Sequence, residues 1–463
     1  MSGIMMNLLG STFGGGGSSN FMLALADTSV TQKRLYTRGV NVDSSGNILV
    51  LMQATAGTRY NFISTVTPDG TVSSTARIDG SGISFEAWNM CLDSSDNIYI
   101  VGRGNGNQPY VLKYNSSFSL QWAFELDGSR YSTVGFNDAS QMSIDTDGTD
   151  VFVSCNVSAS GQRIYYFRMA CSDGDIEAVR EIYRSLPTAR IQYYNTDICV
   201  AGSYIYIGGL DQYHDESFVI VLDKSTNNLK SNTYYVEMED ENDGNPVSLE
   251  KDSNNIVYAL VTRYETNERG HSAIVKLEGD AAVLQGDVYM YGSQHYQDTN
   301  YAMALPTNNA DNDVILFGMH KHANNFSKPT LFSVDNALDG TINWMNYYDF
   351  TGTYTDSNEN SRQPQWSASD GRAGHITMSK DGTHVLALQG FSSFDLDSSN
   401  TNINCTVLIS QAIDGTESAP GNASLTITTN GTTNVLNYNP TAGNNVRDPQ
   451  ADDQASTITK TDK

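Results

Sequence analysis

The sequence predicts an all-β chain folded as a seven-bladed β-propeller of four-stranded antiparallel blades. Three observations carry that expectation. One strand-turn-strand pattern recurs seven times, each copy adds two further short strands, and no long stretch has helical period. Recurrence of this kind marks propellers and solenoids, whose units bury their apolar faces only against neighbouring units.

The clearest copies read VNVDSSGNILVLMQ (40–53) and MCLDSSDNIYIVGR (90–103). An alternating apolar strand enters an Asp/Ser/Gly/Asn turn, and a second strand leaves it. The second strands open at Ile48, Ile98, Val151, Ile205, Ile256, Val314 and Val385, at steps of 50, 53, 54, 51, 58 and 71 residues. One long polar insertion accounts for the last step. Asp, Asn and Gly fill the turns because hairpins need positive φ and local side-chain-to-backbone bonds.

Third strands follow in YNFISTVTPDG (60–70), PYVLKYNSS (109–117), IYYFRMACSDG (164–174), SFVIVLDKS (217–225), HSAIVKLEGD (271–280), TLFSVDNALDG (330–340) and NCTVLISQAIDG (404–415). Fourth strands follow these, as in LQWAFEL (120–126) and INWMNYYDF (342–350). The strongest helical candidate, GDIEAVREIYRSL (174–186), falls where a fourth strand belongs and is read as strand. Four short strands per copy and seven copies give a propeller, whose radial closure protects the sheet edges.

These copies resemble the β-propeller repeat family whose units read roughly D-S-S-G-N-x-Y-V-x-G … V-x-K-L-D-x-x-G-x-x-x-W. Residues 91–122 match best, from Asp93 through Val101-Gly102 and Val111-Leu112-Lys113 to Trp122. The resemblance extends over residues 36–430 and speaks to fold, because one scaffold hosts many functions.

The expected organisation is a leader at 1–20, a propeller at 21–430 and a polar tail at 431–463. Blades are placed near 36–80, 81–130, 136–184, 194–237, 245–292, 300–350 and 372–430. The segment NFMLALADTSV (20–30) looks like a further third strand, with KRLYTR (33–38) as its fourth. Residues 21–35 then either close the last blade or add an edge hairpin. The tail, rich in Asn, Thr, Asp and Pro, has little to bury and is expected to be loosely ordered or ordered by a partner.

Net charge is −25, from 52 acidic and 27 basic residues, with no basic patch. That argues against a nucleic-acid partner. No apolar run approaches the ~20 residues of a membrane helix, so no membrane insertion is expected. Cys91, Cys155, Cys171, Cys199 and Cys405 are odd in number and widely spread, and are read as small buried hydrophobes. The first residues lack a basic and apolar secretory pattern.

The leader MSGIMMNLLGSTFGGGGSSN carries Ile4, Met5, Met6, Leu8 and Leu9 ahead of a glycine run. Five large apolar residues at a chain end suit a docking peptide better than a disordered one. This opening resembles the starts of structural proteins of tailed bacteriophages, marine ones in particular. The resemblance implies a virion protein in several copies, assembled in the host cytoplasm, with other virion proteins as partners.

In a propeller, the loops between strands two and three and between blades share one face. Here it would carry Tyr131, Tyr193, Tyr194, Tyr213, His214, Tyr296, His320, His322, Tyr354 and Trp366. Rings with amides and carboxylates suit a host receptor or glycan. His320 and His322, with His214, Asp211 or Asp215, invite a metal reading, but no fixed spacing supports it. DTDGTD (145–150) starts like a calcium loop, lacks the Glu at position twelve and stands in the register of the repeated turns. SKDGT (379–383) is similar to the Asp-box turn of sialidases, without the Gly-x-Thr-Trp that follows there.

No Gly-x-Ser-x-Gly, HExxH or phosphate-cradling loop occurs. No catalytic residue, cofactor or metal is therefore expected. The leading expectation is a non-enzymatic virion component of tail or capsid that assembles with other proteins and binds the host surface. The alternatives are a polysaccharide-degrading enzyme using a carboxylate pair and a cellular adhesion or scaffold propeller.

Overall fold

The computed structural model describes residues 5–7, 20–27, 34–56, 58–78, 85–104, 108–128, 142–159, 161–184, 193–211, 216–236, 244–264, 270–279, 281–289, 299–306, 313–322, 326–335, 342–350, 354–355, 361–362, 365–366, 374–395, 402–415, 425–429, 449–453 and 458–462. Seven antiparallel sheets, each with a four-stranded core, make the chain a seven-bladed β-propeller.

The blades fall into two compact units. One unit holds the first blade (Arg34–Val42, Ile48–Ala56, Thr58–Val66, Val72–Ile78), the sixth (Thr299–Ala304, Val314–His322, Phe326–Val334, Ile342–Phe350) and the last (His375–Met378, His384–Asp395, Asn402–Ala412). The other holds the second (Glu86–Leu92, Ile98–Arg103, Pro109–Tyr114, Leu120–Gly128), the third (Met142–Thr146, Asp150–Ala159, Gly161–Ala170, Ile176–Arg184), the fourth (Tyr193–Ala201, Tyr204–Asp211, Glu216–Asp223, Leu229–Val236) and the fifth (Gly244–Lys251, Val257–Tyr264, Gly270–Glu278, Ala281–Tyr289). Within each unit the first strands of successive blades pack side by side and are the innermost ones. The segment 176–184, helical by one reading of its sequence, is the fourth strand of its blade.

The repeated turn works through one aspartate. Asp43 Oδ1 accepts from Ser45 N at 2.9 Å and Asn47 N at 2.8 Å, while Oδ2 accepts from Asn47 Nδ2 at 2.8 Å. Asp93 repeats this with Ser95 and Asn97 and also takes Tyr99 Oη at 2.9 Å. A carboxylate that satisfies two turn amides fixes the hairpin before any packing occurs.

The core lies between blades, as strand alternation dictates. In the fourth blade Ile205, Ile207, Phe218 and Ile220 pack toward Phe152, Tyr166 and Ile182 of the third. The intervening residues Tyr206, Val219 and Val221 pack toward Leu249, Val257 and Val275 of the fifth. Cys91, Cys155, Cys171 and Cys199 are buried free thiols in these seams.

Phe21–Asp27 pairs antiparallel with Asn402–Ala412, from Phe21 opposite Ser410 to Leu25 opposite Thr406. It therefore closes the last blade as its fourth strand, which decides between the two roles left open by the sequence. A second sign agrees. Trp344 of the sixth blade covers Gly415 of the last, and Phe21 covers Gly70 of the first in the same way. A methyl group at Gly70 or Gly415 would meet the ring at 2.7 or 2.5 Å, and both glycines have positive φ, 86° and 72°. Only glycine admits that ring and that conformation together.

Three expectations need correction. KRLYTR (33–38) is not the partner of 20–30 but the start of the first blade's inner strand, since Arg34–Val42 pairs with Ile48–Ala56 along its length. Leu425–Thr429, assigned with the last blade, adds to Ile342–Phe350 of the sixth. The described residues of the tail are strands: Pro449–Asp453 adds to the third sheet and Ile458–Asp462 to the second. Such strands need no apolar side chains, because an open sheet edge offers main-chain donors and acceptors. In the leader, Met5–Asn7 pairs with Phe21–Asp27.

Leu23 is fully buried in the clasp, among Val40, Met52, Leu388 and Leu408. Leu23→Ala is expected to lower the unfolding free energy by about 2–5 kcal/mol in urea denaturation. A loss below about 1 kcal/mol would show that the strand does not close the blade.

Candidate functional site

Every blade has a turn end and a hairpin end. At the turn end the carboxylates are engaged by the fold. In 145–150, Asp147 Oδ1 accepts from Thr149 N at 2.9 Å and Asp150 N at 2.8 Å, and Asp150 Oδ2 takes Arg168 Nε at 2.7 Å. Burial opposes ionisation of Asp147, but these amides and Lys224 outweigh it and hold its carboxyl below the usual range. In 379–383, Asp381 takes Ser379 Oγ at 2.6 Å and Thr383 N at 3.1 Å. Both segments are turns. Among the described residues no group of three or more His, Cys, Asp and Glu is placed to hold a metal ion.

At the hairpin end, the expected loops between strands two and three are largely strand. Pairing runs to Ala56 opposite Thr58, Ala159 opposite Gly161, Asp211 opposite Glu216 and His322 opposite Phe326. Tyr193 and Tyr194 therefore open an inner strand, opposite Asp211 and Leu210. His320 and His322 end a second strand, opposite Lys328 and Phe326. Tyr354 stands in a two-stranded ribbon with Ser361–Arg362. Trp366 stands opposite Phe391 on the inner side of the last blade, and its strand lies beside Phe326–Val334, the partner of the strand with His320 and His322. Ile4, Leu8, Leu9, Tyr131, Tyr213, His214, Asp215 and Tyr296 lie outside the described residues.

The inner strands share a feature that the sequence reading missed. Each of five is bulged near its hairpin end. Arg38 is the extra residue between Thr37 and Gly39, Trp88 between Ala87 and Asn89, and Tyr301 between Asn300 and Ala302. The pairing also shifts between Tyr194 and Asp197 and between Gly244 and Val247. A bulge frees one residue from the ladder and re-aims its side chain. Arg38 donates to Gln53 Oε1 from Nε at 3.3 Å and from Nη2 at 2.6 Å, and lies 5.2 Å from the Tyr36 ring centroid. In the second blade Arg103 Nε meets Glu86 Oε2 at 2.7 Å beside Trp88. A sequence signal existed: glycine stands in the second strand opposite or next to the bulge, at Gly102, Gly208, Gly209 and Gly318. At Gly102 any side chain would strike the Phe85 ring and Glu86 O.

Next to the bulges, inner-strand polar residues link the second to fifth blades. Asn89 Nδ2 donates to Ser143 Oγ at 3.2 Å, Ser143 Oγ to Asp197 Oδ1 at 2.7 Å, and Leu249 N to Asp197 Oδ2 at 2.8 Å. Two residues on, Asp145 Oδ2 accepts from Val200 N at 2.7 Å and lies 3.6 Å from Lys251 Nζ, which donates to Val200 O at 2.6 Å. Burial, with Asp197 and Asp145 alongside, pushes the Glu250 carboxyl up to about 8. Burial likewise raises Asp197. In the other unit, burial and Arg38 hold His375 down to about 4, so its imidazole is neutral at pH 7.

No protein-family model and no curated protein sequence matches the chain. Among solved structures it is similar to an oligogalacturonate lyase in complex with manganese, at 8% identity and a TM-score of 0.46, over 88% of this chain and 97% of that one. It is also similar to the phage phi92 endosialidase (9% identity, TM-score 0.45, 85% and 71% covered). A third is the NanB sialidase of Streptococcus pneumoniae (12% identity, TM-score 0.44, 84% and 70% covered). These likenesses concern the fold alone.

The Glu250 shift has a sign. A carboxyl raised in the folded state contributes most stability below its unfolded value of about 4.3 and loses it as pH rises toward about 8. Unfolding free energy is expected to fall by on the order of 2–4 kcal/mol between pH 5 and 8.5, with Glu250→Gln removing most of that slope. Parallel slopes for both proteins in urea titrations would contradict it.

Proposed function

We propose that this chain is a structural component of a bacteriophage particle, a propeller attached to tail or capsid that joins other virion proteins and binds the host surface. One observation carries the reading: Phe21–Asp27 fixes the start of the propeller on the outer edge of its last blade. Of the leader, Met5–Asn7 adds one more strand at that edge, where a neighbouring protein can meet it. The apolar residues of the leader and its phage-like pattern supply the docking chemistry. The engagement of turn-end carboxylates by backbone amides favours a binding role over a hydrolytic one.

A second reading, an enzyme acting on host-surface polysaccharide, draws on Glu250, which keeps its proton at neutral pH beside Asp197 and Asp145. An acid and a neighbouring carboxylate are the elements of glycoside hydrolysis. Unchanged depolymerisation by Glu250→Gln, or none by the native chain, removes it.

The virion reading is tested on purified particles. Mass spectrometry is expected to find the chain at fixed stoichiometry. Deleting residues 2–17, which spares the Phe21–Asp27 strand, should leave the melting temperature within about 2 °C but abolish incorporation. Particles without the chain would overturn the proposal.

A further inference from the structure

In the unit that contains the sixth, last and first blades, three inner strands run side by side: Thr299–Ala304, His375–Met378 and Arg34–Val42. Near their hairpin ends stand Tyr301 at a bulge, His375 at a strand start and Arg38 at a bulge. The bulge turns Arg38 out of the ladder onto Gln53 and the face of Tyr36.

Gln53 adds an independent observation. Its side chain is fully buried, and its Nε2 has no hydrogen-bond partner. The bonds from Arg38 to Oε1 fix the amide orientation, because a flip would set donor against donor. A buried donor without an acceptor is costly, and persists where a further group completes it. The guanidinium, the amide N–H and a neutral imidazole together offer donors, and the missing element is an acceptor.

We propose that Arg38, Gln53 and His375 form a subsite for the carboxylate of an acidic saccharide. This rests on the host-surface binding reading and gives that binding a ligand class. A planar guanidinium suits a carboxylate, and its anchoring on Gln53 and Tyr36 holds it ready for one.

The test uses the full chain and three probes: an oligoglucuronate, the same oligosaccharide with its carboxyls reduced to alcohols, and acetate. Calorimetry is expected to show the uronate binding at least tenfold tighter than its reduced form. Acetate should compete only in the millimolar range, which separates a saccharide site from a bare anion site. Arg38→Met and Gln53→Leu should each weaken uronate binding tenfold or more, and Arg38→Lys should fall between, because a lysine keeps the charge and loses the fork. Thermal melts of all variants check folding, and Arg38→Met, read beside Gln53→Leu, keeps the test sound where loss of the Oε1 acceptor lowers the melting temperature of the latter. Equal binding of reduced and native saccharide, no uronate binding, or unaltered affinity in Arg38→Met would overturn the assignment. If particles carry the protein and adsorb to host cells while uronate binding is absent, the ligand class fails and the virion reading stands. Absence from particles removes the reading itself.

Discussion

An innermost strand has one paired edge and one bare edge, and the blades are organised around that constraint. A strand with one neighbour leaves alternate N–H and C=O groups unmatched, and buried groups of this kind must find partners. Here the partner comes from the adjoining blade. Val200 gives its N–H to Asp145 of the blade before and its C=O to Lys251 of the blade after. Asp197 takes the Leu249 and Ile198 amides. Polar side chains thus occur inside an otherwise apolar seam, and each ties one blade to the next in a fixed register. Apolar burial supplies the attraction between blades and has no direction, whereas these bonds choose the position of contact.

The same economy governs the acidic composition. Part of the acidic excess lies in residues that shape backbone. Asp43, Asp93, Asp147, Asp252 and Asp381 each accept from turn amides. At Asp93 burial pulls the carboxyl up, and Asn97, Ser95 and Tyr99 pull it further down. The opposite holds for Glu250, where carboxyl neighbours add to burial. Surroundings thus push Asp93 and Glu250 in opposite directions, one in a turn and the other beside the inner-strand links.

The fold was legible because its determinants are local and repeat. The DSSGN turns, the alternation that sends Ile205 and Tyr206 to opposite seams, and the Asp-Gly turns can all be read from neighbouring letters. Trp122 and Trp344 show why the repeat ends in tryptophan: their Nε1 groups reach Cys171 O and Ile413 O of the following blade, at 3.4 and 2.7 Å. The polar strands of the tail were not legible, since edge pairing is a main-chain interaction with little dependence on side-chain type. Nor were the bulges, whose existence depends on pairing register between strands. At three of the five the trace was a glycine in the partner strand, easily mistaken for the end of a strand.

Regular pairing and ligand contact make opposite demands on an inner strand. A residue held in the ladder points into a seam between blades, where Ile198, Cys199 and Val200 already pack. A bulge resolves the conflict, because the flanking pairs hold the backbone on both sides while one residue leaves the seam. Arg38 shows the result: Thr37 and Gly39 stay in register with Met52 and Leu51, and the guanidinium between them is aligned by Gln53. Placing an arginine on a rigid element, with its rotamer set by a buried amide, reduces the entropy lost when it binds. The bulged ends of the inner strands are therefore where this fold frees side chains from the seams while the flanking pairs hold the backbone.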